Sequence, residues 1–185
     1  MGISTMSKFW FEPNRRSWHL DRATGGGMWL TAGMHCLDRL TWLVGSRVRS
    51  VCAQFDTRLH NQAADDVGTV LLRYDNGASG IVVSTGYRTG APKHTTELTC
   101  ENGVVDIHYV TGVRIGRNER WQAVPGSAST EWLHEALVNE WLAFRDSLTQ
   151  GIDPSVSGHE ARHIMAAVFA AEESSRLKKE ISVPK

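Results

Sequence analysis

The chain has 185 residues, 41% apolar and 22% charged, with seven tryptophans; this suits one folded domain with a sizeable core and excludes a disordered chain. Lys+Arg 20 balance Asp+Glu 20, so there is no electrostatic footprint for nucleic acid or an anionic membrane. Cys36, Cys52 and Cys100 are odd in number and form no C-x-x-C pair, which argues against a disulfide framework or zinc knot. With no signal-like segment at the amino terminus and no apolar run near the roughly 18 residues of a membrane span, a soluble, cytoplasmic protein is expected.

Gly2 to Phe11 ends in Lys-Phe-Trp-Phe and reads as a strand broken by Pro13-Asn14. A strand so near the start, without a linker, reads as a chain beginning inside something larger. Arg15, Arg16, Trp18 and His19 follow in a polar arm, either a solvated loop or a cover over a site with an arginine to meet an anion. Gly25-Gly26-Gly27 then opens a helical pattern: Leu30, Met34, Leu37, Leu40 and Val44 mark one stripe, and Thr31, His35, Asp38 and Trp42 another. Gly45 ends that helix.

Arg47 to Arg58 reads as a strand, and Val67 to Tyr74 and Ala78 to Thr85 form a hairpin around Asp75-Asn76-Gly77. A second hairpin joins Thr95 to Cys100 with Val104 to Val110 through Glu101-Asn102-Gly103, and Val113 to Ile115 and Trp121 to Val124 add weaker strands. The expectation is an antiparallel sheet of about five to seven strands. Leu133, Leu137, Trp141, Phe144 and Leu148 mark a helix from Thr130 to Gln150, capped by Ser129 or Thr130 and ended by Gly151. Ser157 caps a last helix to about Lys179, and Ile181 to Val183 returns as an edge strand. The fold class is α+β: an open, mainly antiparallel sheet with helices on one face. The other face has Val, Ile and Leu to bury, which predicts a homo-oligomer through the sheet face.

No G-x-G-x-x-G or Walker pattern occurs. His159 and His163 stand four apart without the Glu of a zinc protease motif and read as helix-surface histidines; Asp65-Asp66 reads as a loop or strand-end pair rather than a metal pair. Ser174-Ser175 has no base at usable spacing. That leaves His35, a packing residue or a catalyst by spacing alone.

Gly25-Gly26-Gly27, Gly33-Met34-His35-Cys36-Leu37-Asp38 and Trp42-Leu43-Val44-Gly45, followed by Asp66-Val67-Gly68-Thr69, Tyr74-Asp75-Asn76-Gly77-Ala78 and Val156-Ser157-Gly158-His159-Glu160-Ala161-Arg162, resemble the C-terminal domain of the glucose-fructose oxidoreductase / inositol dehydrogenase / MocA family over nearly the whole chain. The arm and Ser84-Thr85-Gly86-Tyr87 also resemble its phthalate dihydrodiol dehydrogenase-like branch. The resemblance implies an NAD(P)-dependent oxidoreductase of two domains. One is an N-terminal Rossmann domain that holds NAD or NADP and is absent from residues 1–185; the other is a substrate-binding and oligomerising domain like the C-terminal domain of glyceraldehyde-3-phosphate dehydrogenase. By position, His35 is the implied proton acceptor or substrate anchor, and Thr31 stands where the family usually has Asp, supplying a hydroxyl but no charge. Arg16 and Trp18 are further substrate-side candidates. The implied substrate is a small sugar, polyol or cyclic diol, with no metal, nucleic acid or membrane. The alternative is a non-catalytic interaction module with a decayed site.

Overall fold

The structure, a computed structural model, describes residues 1–154 and 156–184. A nine-stranded sheet runs β8-β7-β6-β5-β1-β4-β3-β2-β9, with β1 Gly2–Phe9, β2 Val48–Asp56, β3 Val67–Tyr74, β4 Ser79–Tyr87, β5 Lys93–Cys100, β6 Gly103–His108, β7 Gly112–Arg117, β8 Arg120–Ala123 and β9 Ile181–Ser182. The expected five to seven antiparallel strands are thus too few, and one pair is parallel: β1 lies between antiparallel β5 and parallel β4. Turn chemistry reveals hairpin partners, but the first strand's neighbours are non-local, and only the crossover through the first helix, β2 and β3 brings β4 beside it. The hairpin at Asp75-Asn76-Gly77 is as read, with Gly77 at φ +85° and Ala78 N donating to Asn76 Oδ1 at 3.0 Å.

Helix α1, Met34–Val44, and helix α3, Gly158–Leu177, pack on one face of this sheet. Small Ala167 and Ala171 are fully buried and let α3 approach β2 closely. Ser174 and Ser175 prove structural: their hydroxyls accept from Ala53 N at 2.9 Å and Phe55 N at 2.8 Å, beyond the part of β2 that pairs with β9. Ser157 caps α3 in a reciprocal pair, Glu160 N to Ser157 Oγ at 3.2 Å and Ser157 N to Glu160 Oε2 at 2.7 Å. His163, read as a surface residue, is buried, and Val48 N donates to its Nε2 at 3.0 Å.

Helix α2, Trp132–Gln150, has no buried residue; its expected core stripe of Leu133, Leu137, Trp141, Phe144 and Leu148 faces outward. Its flanking cap is Glu131, whose N–H donates to Ser129 Oγ at 3.0 Å, rather than Ser129 or Thr130 itself. No helix among the described residues is long and apolar enough to cross a membrane. The face of the sheet away from α1 and α3 carries Ile3, Thr5, Ile81, Val83, Thr69 and Leu71 on adjoining strands.

Candidate active site

The site region is built by the arm between β1 and α1. Trp10 is fully buried, its Nε1 donates to Gln62 Oε1 at 2.7 Å, and the Arg15 guanidinium lies 4.2 Å from its ring centre. Arg15 rather than Arg16 is therefore the arginine the fold takes inside. Arg16 is exposed and its carbonyl accepts from His19 N at 3.1 Å; Trp18, 42% exposed, stacks on His19 with ring centres 3.6 Å apart.

The glycine triplet joins this arm to the helix. A Cβ on Gly26 would overlap the Trp18 and His19 carbonyls, and one on Gly27, at φ +110°, would overlap Asp65 Oδ1. Asp65 then does what a local cap would do, its carbonyl accepting from Met28 N at 2.9 Å and its carboxylate from Trp29 N at 2.7 Å. The chain continues through a wide π-type turn, Trp29–Gly33, into α1. Trp29 anchors that turn: it is fully buried, its Nε1 donates to Val168 O at 3.1 Å, and its ring lies 4.9 Å from Phe55.

The expected stripe faces the core: Leu37 and Leu40 are buried, and half-buried Leu30, Met34 and Val44 pack against the same cluster. The buried positions are Ala32, Gly33, Cys36, Leu37, Leu40 and Thr41, whereas Met34 and Val44 are half-buried. His35, Asp38 and Trp42 remain exposed on the outward side, and Thr31 is half-buried one turn before His35. Thr31 Oγ1 donates to Gly27 O at 2.6 Å. The fold thus sets Thr31 and His35 on one outward stripe of the helix and lays the backbone of Trp18 against the glycine triplet that begins it.

Two environments lie on either side of the helix that carries His35. Towards α3, Asp38, Thr41, Trp42, Arg47, Glu160 and His163 line a cleft of about 350 Å³. Burial pushes the Asp38 carboxyl up, with His35 and Arg39 opposing; burial and then Arg47 push His163 down. Towards β5, the Arg39 guanidinium lies 4.7 Å from the Tyr109 ring centre, and His94 meets the same ring edge-on at 5.2 Å. Sequence reasoning passed over Arg39, although its place four residues after His35 puts it on the same side of the helix. Tyr109 and His94 carried no local signal.

Asp65 is the most perturbed carboxyl here, pushed from an ordinary 3.8 up to about 6 chiefly by burial, with Glu172 adding to the rise and the Trp29 N–H and Arg22 opposing it. A carboxyl whose folded value is raised favours the fold when protonated. Its contribution is therefore full below about pH 4 and is lost as pH rises through about 6. Asp65→Asn, which keeps an acceptor for Trp29 N, is expected to flatten the difference in melting temperature between pH 4 and pH 7; an unchanged pH slope in thermal scans would sink this assignment.

The same carboxylate shows that the glycine turn does not fit a dinucleotide pyrophosphate. The first helical N–H groups already have protein acceptors, and the missing Cβ atoms make room for Asp65 and the arm rather than for a ligand.

Among solved structures, levoglucosan dehydrogenase in complex with NADH superposes with a TM-score of 0.85 at 18% identity over 100% of this chain and 58% of its own. An oxidoreductase from Agrobacterium radiobacter in complex with NAD+, L-tartaric acid and magnesium gives 0.81 at 19% identity, covering 98% of this chain and 56% of its own. The WlbA dehydrogenase from Bordetella pertussis, in complex with NADH and UDP-GlcNAcA, gives 0.72 at 24% identity over 99% and 54%. At such identities the likeness is one of fold, and the chain spans little more than half the length of these structures. No curated protein matches in sequence. The sequence model of the GFO/IDH/MocA C-terminal domain, however, matches residues 2–106, more than half of the chain. The glycine triplet, the helix it anchors and the open sheet beneath are those of a GFO/IDH/MocA C-terminal domain, and the chain belongs to that family.

Proposed function

We propose that this chain is the substrate-binding domain of an NAD(P)-dependent dehydrogenase acting on a sugar, polyol or cyclic diol, with His35 as the group that accepts the substrate hydroxyl proton or anchors that hydroxyl. The observation that carries the reading is the exposed imidazole of His35 on the outward side of a helix whose start is locked by Gly26, Gly27, Asp65 and Trp29. A base presented from a rigid element meets substrate in one geometry. Thr31 would bound the site one turn earlier, and Arg16 and Trp18 would approach from the arm.

The nicotinamide cofactor is held by a Rossmann domain outside these 185 residues, in keeping with the greater length of the NAD-bound relatives and with the occupied helix start in this chain. Calorimetry with NADH and NADPH should give no tight binding to the chain alone; tight binding would contradict this division of labour. The cytoplasm, where both nucleotides are abundant, is the expected location. Activity itself is tested by His35 substitution in the enzyme assembled with its cofactor domain.

One observation favours the non-catalytic reading: the Thr31 hydroxyl is donated to Gly27 O, which leaves no charged partner four residues before His35. The same substitution separates the two readings, since a decayed site has no turnover to lose.

The apolar and hydroxyl-bearing sheet face is the proposed surface for a homo-oligomer. Its exposed Leu71 and the central Val83 make Leu71→Lys with Val83→Lys the direct probe. Sedimentation velocity should find a dimer or larger assembly for the unaltered chain and a monomer for the double variant; a monomeric unaltered chain would remove the proposal.

A further inference from the structure

The side of α1 that faces β5 holds Arg39, which forms no ion pair among the described residues. Arg39 stands one helical turn beyond His35. Its Nη2 lies 3.4 Å from Cys36 Sγ, its Nε is buried without a partner, and its guanidinium covers Tyr109 at 4.7 Å. His94 touches the same tyrosine ring, and its Nε2 is likewise buried without a partner. Tyr109 also stacks on Trp132 with ring centres 4.3 Å apart, extending the cluster into a half-buried aromatic platform. The nearest acid in sequence, Asp38, lines the opposite cleft beside α3, and no described carboxylate forms an ion pair with Arg39 or His94.

The charges felt by His94 are Arg39, Lys8 and His108, all of which add to burial in pushing its pKa down. Lys8 is paired locally with Glu12 at 2.6 Å, whereas Arg39 forms no ion pair and its charge is felt only at a distance by Asp38 on the other side of the helix. A partly desolvated guanidinium without an anion in contact is costly, and the usual remedy is a carboxylate or phosphate that takes its remaining N–H groups.

We infer that Arg39, with His94 and Tyr109, forms an anion subsite beside His35, and that the substrate is a hydroxy acid of the sugar-acid type whose carboxylate sits on Arg39 while its reacting hydroxyl reaches His35. Residues four apart on a helix have Cβ atoms about 5–6 Å apart. One small molecule therefore spans both groups when its carboxylate and reacting carbinol are only a few bonds apart. Tyr109 and Trp132 offer a flat surface for the C–H face of the ligand. The inference rests on the reading of His35 as the substrate-facing group, but Arg39 acts by binding and its test does not depend on turnover.

The test is calorimetry on the full chain with gluconate, with sorbitol as the neutral polyol of the same length, and with inorganic phosphate. Gluconate should bind saturably and at least about tenfold tighter than sorbitol, a difference of about 1.4 kcal/mol. Arg39→Gln should erase that preference, whereas Arg39→Lys, which keeps the charge, should retain part of it; circular dichroism checks that both variants are folded. Gluconate binding no tighter than sorbitol, no saturable gluconate binding, or a preference that survives Arg39→Gln would each overturn the proposal. Phosphate binding as tightly as gluconate would overturn the sugar-acid assignment in favour of a simple anion site. A gluconate preference erased by Arg39→Gln together with full turnover of the assembled enzyme without His35 ends the catalytic reading and leaves the subsite standing; loss of turnover without His35 together with no gluconate preference rejects the subsite alone.

Discussion

His35→Ala should lower kcat/KM of the enzyme assembled with its cofactor domain by about 10²- to 10⁴-fold, the usual worth of a positioned proton acceptor. The side chain is exposed and has no hydrogen bond within the described chain, so its removal should leave the melting temperature nearly unchanged. A loss of activity without a loss of stability is the expected signature. Steady-state kinetics and a thermal scan on the same preparation decide it: normal kcat/KM would end the catalytic assignment. Thr31→Ala should do less to activity, because Thr31 Oγ1 already serves Gly27 O at 2.6 Å and loses chiefly a local helix contact.

The largest effect on stability is expected at Asp66, which is fully buried and accepts three backbone N–H groups, from Arg58 at 2.8 Å, Leu59 at 2.9 Å and His60 at 2.7 Å. Asp66→Ala would strand all three donors away from water, each at about 1–3 kcal/mol. Partial collapse of the 57–60 loop would relieve some of this, leaving a net loss of roughly 3–5 kcal/mol out of the 5–15 typical of a domain. For a chain of this size that corresponds to a fall in melting temperature of roughly 10 °C or more. Asp66→Asn keeps one acceptor oxygen and should fall between. If differential scanning calorimetry found Asp66→Ala as stable as the unaltered chain, the carboxylate would not be organising the loop. The loop matters to the site because the adjacent Asp65 holds the start of the His35 helix.

The contrast between Asp65 and Asp66 marks how far the chain could be read unaided. Their adjacency, with side chains alternating across a strand end, favours a loop or strand-end role. Their partners were not legible, because Trp29 lies 36 residues from Asp65 and no local pattern encodes a cap supplied from another segment. His163 shows the same limit: period and spacing put it on the last helix, but the Val48 N–H that draws it inside is 115 residues away.

What the sequence determined by itself was much of the short-range chemistry, though not the cap of α2. Asn-Gly turns set the hairpin at residues 74–78, Ser157 with Glu160 set the start of α3, and a left-handed glycine at residue 45 set the end of α1. Only the tertiary structure decided what depends on distant partners: the placing of β1 between β4 and β5, the π-type turn pinned at Trp29 that opens the first helix, and the choice of Arg15 over Arg16 for burial against Trp10. It also decided what surrounds Arg39, since Tyr109, and His94 through the same ring, are brought to it only by the pairing of β5 with β6 and the loop that follows. Local interactions are specified by neighbouring residue types, whereas burial and charge pairing are settled by which remote surfaces the whole chain brings into contact.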